Sequence, residues 1–300
     1  MFKGINAIEF NKRFRSNEDC YLYLIENKWG KGYRCSRCGC EELYKGRTYY
    51  HRRCKSCGYG ESVTANTVFH GMKMPMLKAF HMVFRLTAKK KGMSTTELGT
   101  EVGVQQKTAW LFKRKVQAVM KQDNNDKLTG QVDADETLLG GYTKHHRGRS
   151  LESKQGVLIA AEQLSDGRTG NIRMQEIENF EAATLKFALK DMIDEHAAIR
   201  TDNHRSYQYL AKQMNIKTVT SQMGKALEEL HKQIMQFKNW LRGIHHKCST
   251  QHLHAYLDEY VYRFNKRNAR KWIFNDLVDK LMNQIPHPYS VLKTICAYNA

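Results

Sequence analysis

The chain has 300 residues, 41% hydrophobic and 10% aromatic, which is enough apolar material for two folded domains and argues against disorder. Lysines and arginines number 49 against 30 aspartates and glutamates, a net charge of +19 that points to a polyanionic partner, nucleic acid before an anionic membrane. No apolar run approaches the roughly 20 residues needed to span a bilayer, and the N-terminus lacks a signal-peptide core, so a cytoplasmic protein with no membrane partner is expected.

Residues 1–30 read as a lead-in helical segment. Phe10, Phe14, Tyr21 and Leu24 have roughly helical spacing, and Ser16 followed by acidic residues suits an N-cap for a helix over Glu18–Asn27. No chemistry is assigned to it.

Residues 31–62 carry Cys35-Ser-Arg-Cys38 and Cys54-Lys-Ser-Cys57, fifteen residues apart. Two CxxC pairs at this spacing suit a tetrahedral four-thiolate zinc site, with a redox pair as the alternative. Gly39 and Gly58 follow the two knuckles, where the chain must turn sharply, and a short hairpin is expected between them. Cys40 is one residue removed from Cys38, poor geometry for a ligand, and reads as a spare. Four thiolates leave zinc no open position, so this metal holds a fold and does no catalysis. Arg34, Arg37, Arg47, Arg52, Arg53 and Lys55 surround the knuckles and suit phosphate contact.

Residues 63–121 look helical. Pro75 can open a helix, and Ser94-Thr-Thr-Glu97 has the form of a capping box before a short helix. Gly103 then makes a turn into a longer basic helix, the layout of a helix-turn-helix. Gln105, Gln106, Lys107 and Thr108 stand at the front of the second helix, where base edges would be read. Lys113, Arg114 and Lys115 are candidates for phosphate contact, and Ala109, Trp110, Phe112 and Val116 for the buried side. Residues 122–130, polar and containing Asn-Asn and Gly, read as a linker.

Residues 131–300 read as an α/β domain with a mixed sheet: three strands in a meander, a helix, two short strands, then helices. In the first strand Val132 and Ala134 alternate with Asp133 and Asp135, so the two aspartates share one face. Buried carboxylates cost several kcal/mol each unless compensated, and a divalent cation is the simplest compensation. A basic loop over residues 143–156 follows the strand. Asp202 comes at the end of the fourth strand, which adjoins the first if the crossover helix returns the chain beside it. Two carboxylates at neighbouring strand ends suit Mg²⁺ or Mn²⁺, and such ions support in-line phosphoryl displacement. A third ligand is expected from the helix over Lys225–Leu241. There, residues seven apart lie about 700° round, close to one direction, as do His231 and Lys238, with Glu228 one turn earlier. On chemistry alone Glu228 is the harder ligand for Mg²⁺.

These residues carry a resemblance that runs through nearly the whole chain: WGKGYRCSRCG, the second CxxC, TANTVFHGMKMP, the KTAW helix, VDADETLLGG, RTDNHRSY, WLRGIHH and HLHAYLDEYVYRFNKR. The chain resembles bacterial insertion-sequence transposases of the DDE class with an N-terminal zinc ribbon. The resemblance implies an RNase H-like catalytic domain and makes Asp135 and Asp202 the first two acidic positions. The family's third position varies. Members similar to this chain have His followed by Lys seven residues on, which favours His231 with Lys238 and leaves Glu228 as the alternative. It further implies hydrolysis at the element's ends, then attack of the freed 3′-hydroxyl on target DNA, without a covalent protein–DNA intermediate. Double-stranded DNA (terminal inverted repeats and target), at least a dimer in the active complex and a nucleoid-associated location go with that activity. Lys238, His245 and His246 would neutralise phosphate, and Arg263, Lys266, Arg267, Arg270 and Lys271 would track the DNA backbone. Two rivals remain: a zinc-containing DNA-binding regulator without catalysis, which leaves the acidic strand unexplained, and a metal-dependent nuclease on the same fold that cuts without joining.

Overall fold

A computed structural model describes residues 2, 4, 6–121, 126–140, 154–220, 222–245, 248 and 250–286. The chain divides into two compact units, residues 1–120 with 268–295, and residues 121–267.

The first unit opens with helices α1 (Ala7–Arg13) and α2 (Asn17–Trp29). Ser16 caps α2 as expected, in a full capping box: its hydroxyl accepts from the Asp19 N–H while the Asp19 carboxylate accepts from the Ser16 N–H. The cysteine-bearing segment forms a three-stranded antiparallel sheet rather than a lone hairpin, from β1 (Leu43–Lys45), β2 (His51–Cys54) and β3 (Gly60–Ser62). Gly39 and Gly58 take φ of +74° and +67°, the left-handed turn that a side chain would strain. Glu61, buried on β3, receives Lys28 of α2 at 2.7 Å and the Ser36 hydroxyl at 3.1 Å, which fastens the sheet to α2.

Helix α3 (Met76–Ala88) starts after Pro75, and α4 (Thr95–Val102) and α5 (Gln106–Val119) form the expected two-helix corner. Ser94 accepts from the Glu97 N–H, but the Glu97 carboxylate pairs with Lys89 instead of closing the box. Gly103 sits at φ +66°, and a Cβ on Gly99 would lie 2.9 Å from the Val104 carbonyl oxygen, so both glycines let the helices approach. The second unit supplies β4 (Gln131–Leu139), β5 (Gln155–Gln163), β6 (Thr169–Ile177), α6 (Ala182–Met192), β7 (Ala198–Asp202), α7 (Arg205–Leu210), β8 (Ile216–Val219), α8 (Glu228–Ile244) and α9 (Leu253–Asn265). Helix α6 begins three residues after Asn179, which instead braces the preceding turn through the Glu181 N–H and the Thr184 hydroxyl.

The last helix, α10 (Ile273–Asn283), corrects the reading that one domain runs over residues 131–300: it belongs to the first unit. Its apolar face completes an aromatic core there. Phe274 meets Phe2, Phe10, Phe14, Tyr23, Phe80 and Phe84 with ring centroids 5.5–6.4 Å apart. Asn275 accepts from the Tyr23 hydroxyl, and the Val68 N–H donates to the Leu281 carbonyl. An amphipathic period says that a helix has a buried face, not which core receives it.

In the second unit the sheet order is β6-β5-β4-β7-β8, with β4–β5–β6 antiparallel and β4–β7–β8 parallel. This is the meander with the returning fourth strand beside the first, a mixed sheet consistent with an RNase H-like domain. Alternation along β4 serves two cores. Val132 and Ala134 face a cluster with Leu185, Leu189, Tyr207 and Leu210 of α6 and α7. Leu139 faces one with Leu230, Phe237, Leu257 and Val261 of α8 and α9. Asp133 and Asp135 share the parity of Leu139 and therefore the α8 side.

Candidate active site and metal centres

The four cysteines come together. The sulfurs of Cys35 and Cys57 lie 3.7 Å apart, those of Cys38 and Cys54 3.5 Å, and all four within 4.8 Å of one another. A tetrahedron with Zn–S bonds of about 2.3 Å has edges of about 3.8 Å, so the donor set and spacing suit zinc. Cys40 stands apart, its thiol directed at the Glu42 carbonyl at 3.8 Å.

The last rung of the β4–β7 ladder and the strand ends beyond it organise the other site. Asp133 pairs with Arg200 across the parallel strands, and the guanidinium clasps the carboxylate with two bonds of 2.7 Å. Asp133 is only 1% exposed, and the strand beside it supplies its counter-charge. Two residues further along each strand, beyond the last paired rung, stand Asp135 and Asp202, near enough for the charge of Asp202 to act on Asp135. The β4–β7 pairing ends at the Asp133–Arg200 rung, so the strand ends that carry these two aspartates open at the point where the sheet changes from antiparallel to parallel.

Asp135 is held at both oxygens: Oδ1 accepts from the Glu136 N–H at 2.8 Å, and Oδ2 lies 3.1 Å from His231 Nε2 of α8. Burial and the charge of Asp202 push its carboxyl above the ordinary range, against the opposing pull of those two partners. Asp202 turns Oδ1 onto the His204 N–H at 3.1 Å. Lys238 lies two turns along α8 from His231. Its ammonium sits below the usual lysine range through burial and the nearby Arg242, with Asp135 opposing. Glu228 is exposed and paired with Lys232 at 2.9 Å, outside this group. Behind β4, the buried Tyr207 lies beside Glu136; burial first, then the Glu136 charge, drive its hydroxyl far up. The Tyr at the end of RTDNHRSY carried no functional reading in the sequence, although its place in that motif was the available signal.

The donors suit a divalent cation. Two carboxylates on adjacent strands, one desolvated and raised by the other, are the arrangement that a hard cation stabilises. Among the described residues, however, the cysteines form the group of three or more His, Cys, Asp or Glu side chains whose ligand atoms all close to within 4.8 Å, so Asp135, Asp202 and His231 are adjacent without having closed to that spacing. The oxygen donors of Asp135 and Asp202 are of the chemical type that Mg²⁺ and Mn²⁺ take.

Two family models match the chain. Residues 15–60 match the transposase zinc-ribbon domain, and residues 127–265 match the ISXO2-like transposase domain. The chain belongs to the insertion-sequence transposases of the DDE class. The two matches cover more than half of it and bracket the cysteine cluster and the β4–β7–α8 site. No curated protein matches the chain.

The nucleic-acid face needs one correction. Gln105, Gln106, Lys107 and Thr108 are exposed at the start of α5, where a reading surface was expected. Arg114 and Lys113 are buried, 6% and 2% exposed, and not available to phosphate. Arg114 stacks on Trp110 and donates to the Gln117 side chain, and Lys113 donates to the Met93 carbonyl at 2.8 Å. The reason is that α3 and α10 both pack on α5, which buries more of its circumference than one apolar stripe would. The C-terminal basic run is likewise partly structural: Arg267 donates to the Thr169 and Gly170 carbonyls and stacks on Phe264, and Arg270 donates to the Ala88 carbonyl. Lys271 is exposed, and His245 stacks on Tyr256 at 4.0 Å. His246 and most of the basic loop, residues 143–153, lie outside the described residues. Among the described residues no helix is long and apolar enough to cross a membrane.

Proposed function

We propose that this chain binds the terminal inverted repeats of its element and, with Mg²⁺ or Mn²⁺ held by Asp135, Asp202 and His231, hydrolyses a phosphodiester at each end and joins the freed 3′-hydroxyl to target DNA. The observation that supports this most is the buried Asp135 carboxylate, raised by the charge of Asp202 and touched by His231, just beyond the rung where Arg200 neutralises Asp133.

When bound there, the divalent ion supplies Lewis-acid stabilisation of charge on the reacting phosphate. The side chains do the rest. The Glu136 amide fixes Asp135 from the strand side and His231 fixes it from α8, so its carboxylate presents a constant face to the cleft. His231 takes the third position in this reading because it touches Asp135, while Glu228 points to Lys232. With Nε2 protonated the ring donates to Asp135; ligation through the same nitrogen requires the other tautomer. Lys238 offers a half-desolvated ammonium to the DNA phosphate, stronger there than in water. Gln105, Gln106 and Lys107 read the terminal repeat. Because both ends must react together, the active complex is at least a dimer.

The test is an assay on duplex DNA carrying the cognate ends, with Mg²⁺ or Mn²⁺. Joining to a second duplex by the wild type, abolished in Asp135→Ala and Asp202→Ala and retained in Glu228→Gln, is expected. Cutting without joining would leave a nuclease, and full activity in either aspartate variant would sink the reading.

A further inference from the structure

The pairing of β4 with β7 ends at Asp133 and Arg200, two residues before Asp135 and Asp202. Beyond that point each strand is held on its outer side. Strand β4 continues against β5 as far as Leu139, and β7 pairs with β8 through Asp202. Among the described residues no ladder pair joins the two ends to each other. A site that needs both carboxylates at a fixed separation therefore needs another tie between them.

The back of the sheet supplies one. Glu136 follows Asp135 and shares the parity of Val132 and Ala134, so its side chain leaves β4 on the α6–α7 side, opposite to the Asp135 carboxylate. Tyr207 of α7 belongs to the core on that side and is fully buried. Its hydroxyl lies against the Glu136 carboxylate, whose charge acts on it more than those of Asp135 and Asp202 do. Neither the Tyr207 oxygen nor the two Glu136 oxygens are accessible to water. Burial keeps the proton on Tyr207, so a donor faces an acceptor. The two stand outside strict hydrogen-bond geometry, but among the described residues no other group answers the Tyr207 hydroxyl, and water does not dilute the attraction.

Both ends of this contact are joined firmly to the aspartates. On β4 the Glu136 N–H donates to Asp135 Oδ1 at 2.8 Å, so one residue holds the carboxylate with its amide and the back of the sheet with its side chain. On the other strand the His204 N–H donates to Asp202 Oδ1 at 3.1 Å. His204 then caps α7, its ring accepting from the Ser206 N–H at 3.4 Å. The Gln208 side chain folds back onto Asn203, and the Ser206 hydroxyl donates to the Phe180 carbonyl at 2.8 Å. Tyr207, five residues after Asp202, thus moves with it as one piece.

We propose that the Glu136–Tyr207 contact is a brace across the gap between β4 and β7, and that these two positioning residues set the separation of Asp135 and Asp202 for a divalent cation. Both act from behind the strands, through the aspartates. The cation rests on the function proposed above; the brace does not.

The test is amide exchange of the full zinc-loaded chain without added divalent metal, resolved by residue with NMR. In Tyr207→Phe the ring stays and the donor goes. Exchange at the Glu136 and His204 amides is expected to rise about 10-fold, the effect of one hydrogen bond to a charged group, while Val132 and Asp133 on the paired rungs keep wild-type rates. Glu136→Gln retains an oxygen that accepts from Tyr207 and should stay near the wild type. Glu136→Met, similar in length and without an acceptor, should match Tyr207→Phe, and the double variant should be no faster than either alone. Unchanged rates in Tyr207→Phe, a rise uniform along β4, or additive effects in the double variant would overturn the brace. Mn²⁺ titration reads its purpose: Tyr207→Phe should bind the ion on the order of 10-fold more weakly than the wild type, and equal, measurable binding by the two would overturn the positioning role. A wild type with the local exchange pattern that takes up no Mn²⁺ would count against the cation reading of Asp135 and Asp202 and leave the brace standing.

Discussion

The neutralisation of Asp133 at the last rung of β4 and β7 can be tested by removing its base. In Arg200→Leu the Asp133 carboxylate, 1% exposed, loses both of its 2.7 Å bonds. Stranding one member of a buried pair costs about 3–5 kcal/mol. Arg200 is itself 35% exposed, so water reaches the pair from that side and the low end, about 3 kcal/mol, applies. Replacing both residues, Asp133→Leu with Arg200→Leu, removes the stranded charge and should cost much less. Because the chain has two units, a single unfolding free energy is ill-defined. The assay is therefore native-state amide exchange, read on the β4 and β7 amides. A loss of about 3 kcal/mol accelerates exchange through opening on the order of 100-fold. A double variant no more protected than Arg200→Leu alone would refute the argument that Arg200 serves to neutralise Asp133.

Other consequences concern metal, packing and pH. Metal analysis should find one zinc per chain, lost in Cys38→Ser and kept in Cys40→Ser; loss in the Cys40 variant would bring Cys40 into the ligand set. Phe274→Ala should lower the stability of the first unit by about 3–5 kcal/mol, read as loss of exchange protection in α3. Protection lost only in the second unit would contradict the placement of α10. Burial pushes the carboxyls of Glu176 and Asp258 up to about 7. Their folded pKa values exceed the unfolded values of about 4, so the folded state binds these protons more tightly. The stability they contribute is full below about pH 4 and is lost as pH rises to about 7. Asp258→Asn should flatten that decline in a series of melts between about pH 4 and 8, and an unchanged slope would count against the buried-acid assignment.

Much of the fold was legible because its signals are local. The CxxC spacing, the glycines after each knuckle, the Ser16 cap and the alternation in VDADE each fix geometry within a few residues. The pairing of β4 with β7 was reachable because a parallel neighbour needs a crossover and the sequence offers a helix of the right length between them. What failed was long-range or depended on three bodies. The destination of α10 rests on Phe274 finding rings more than 180 residues away in sequence, and no periodicity encodes that. Arg114 and Lys113 looked like phosphate contacts because a basic helix has one obvious wet side, and the packing of α3 and α10 removed it. The proposed third member of the site shows the same limit. Hardness favoured Glu228 and helical spacing allowed His231. The preference depends on the phase of α8 against β4, which sets His231 on Asp135 and sends Glu228 to Lys232.

The proposed reaction requires first that two carboxylates 67 residues apart in sequence, Asp135 and Asp202, share a cation. Titration of Mn²⁺ into the zinc-loaded chain, with free Mn²⁺ followed by electron paramagnetic resonance, measures that directly and without DNA. Saturable binding is expected in the wild type and in Glu228→Gln, with loss in Asp135→Asn and in Asp202→Asn and weakening in His231→Ala. Binding that survives both aspartate variants, or a wild type that takes up no Mn²⁺ beyond its cysteine site, would contradict the account.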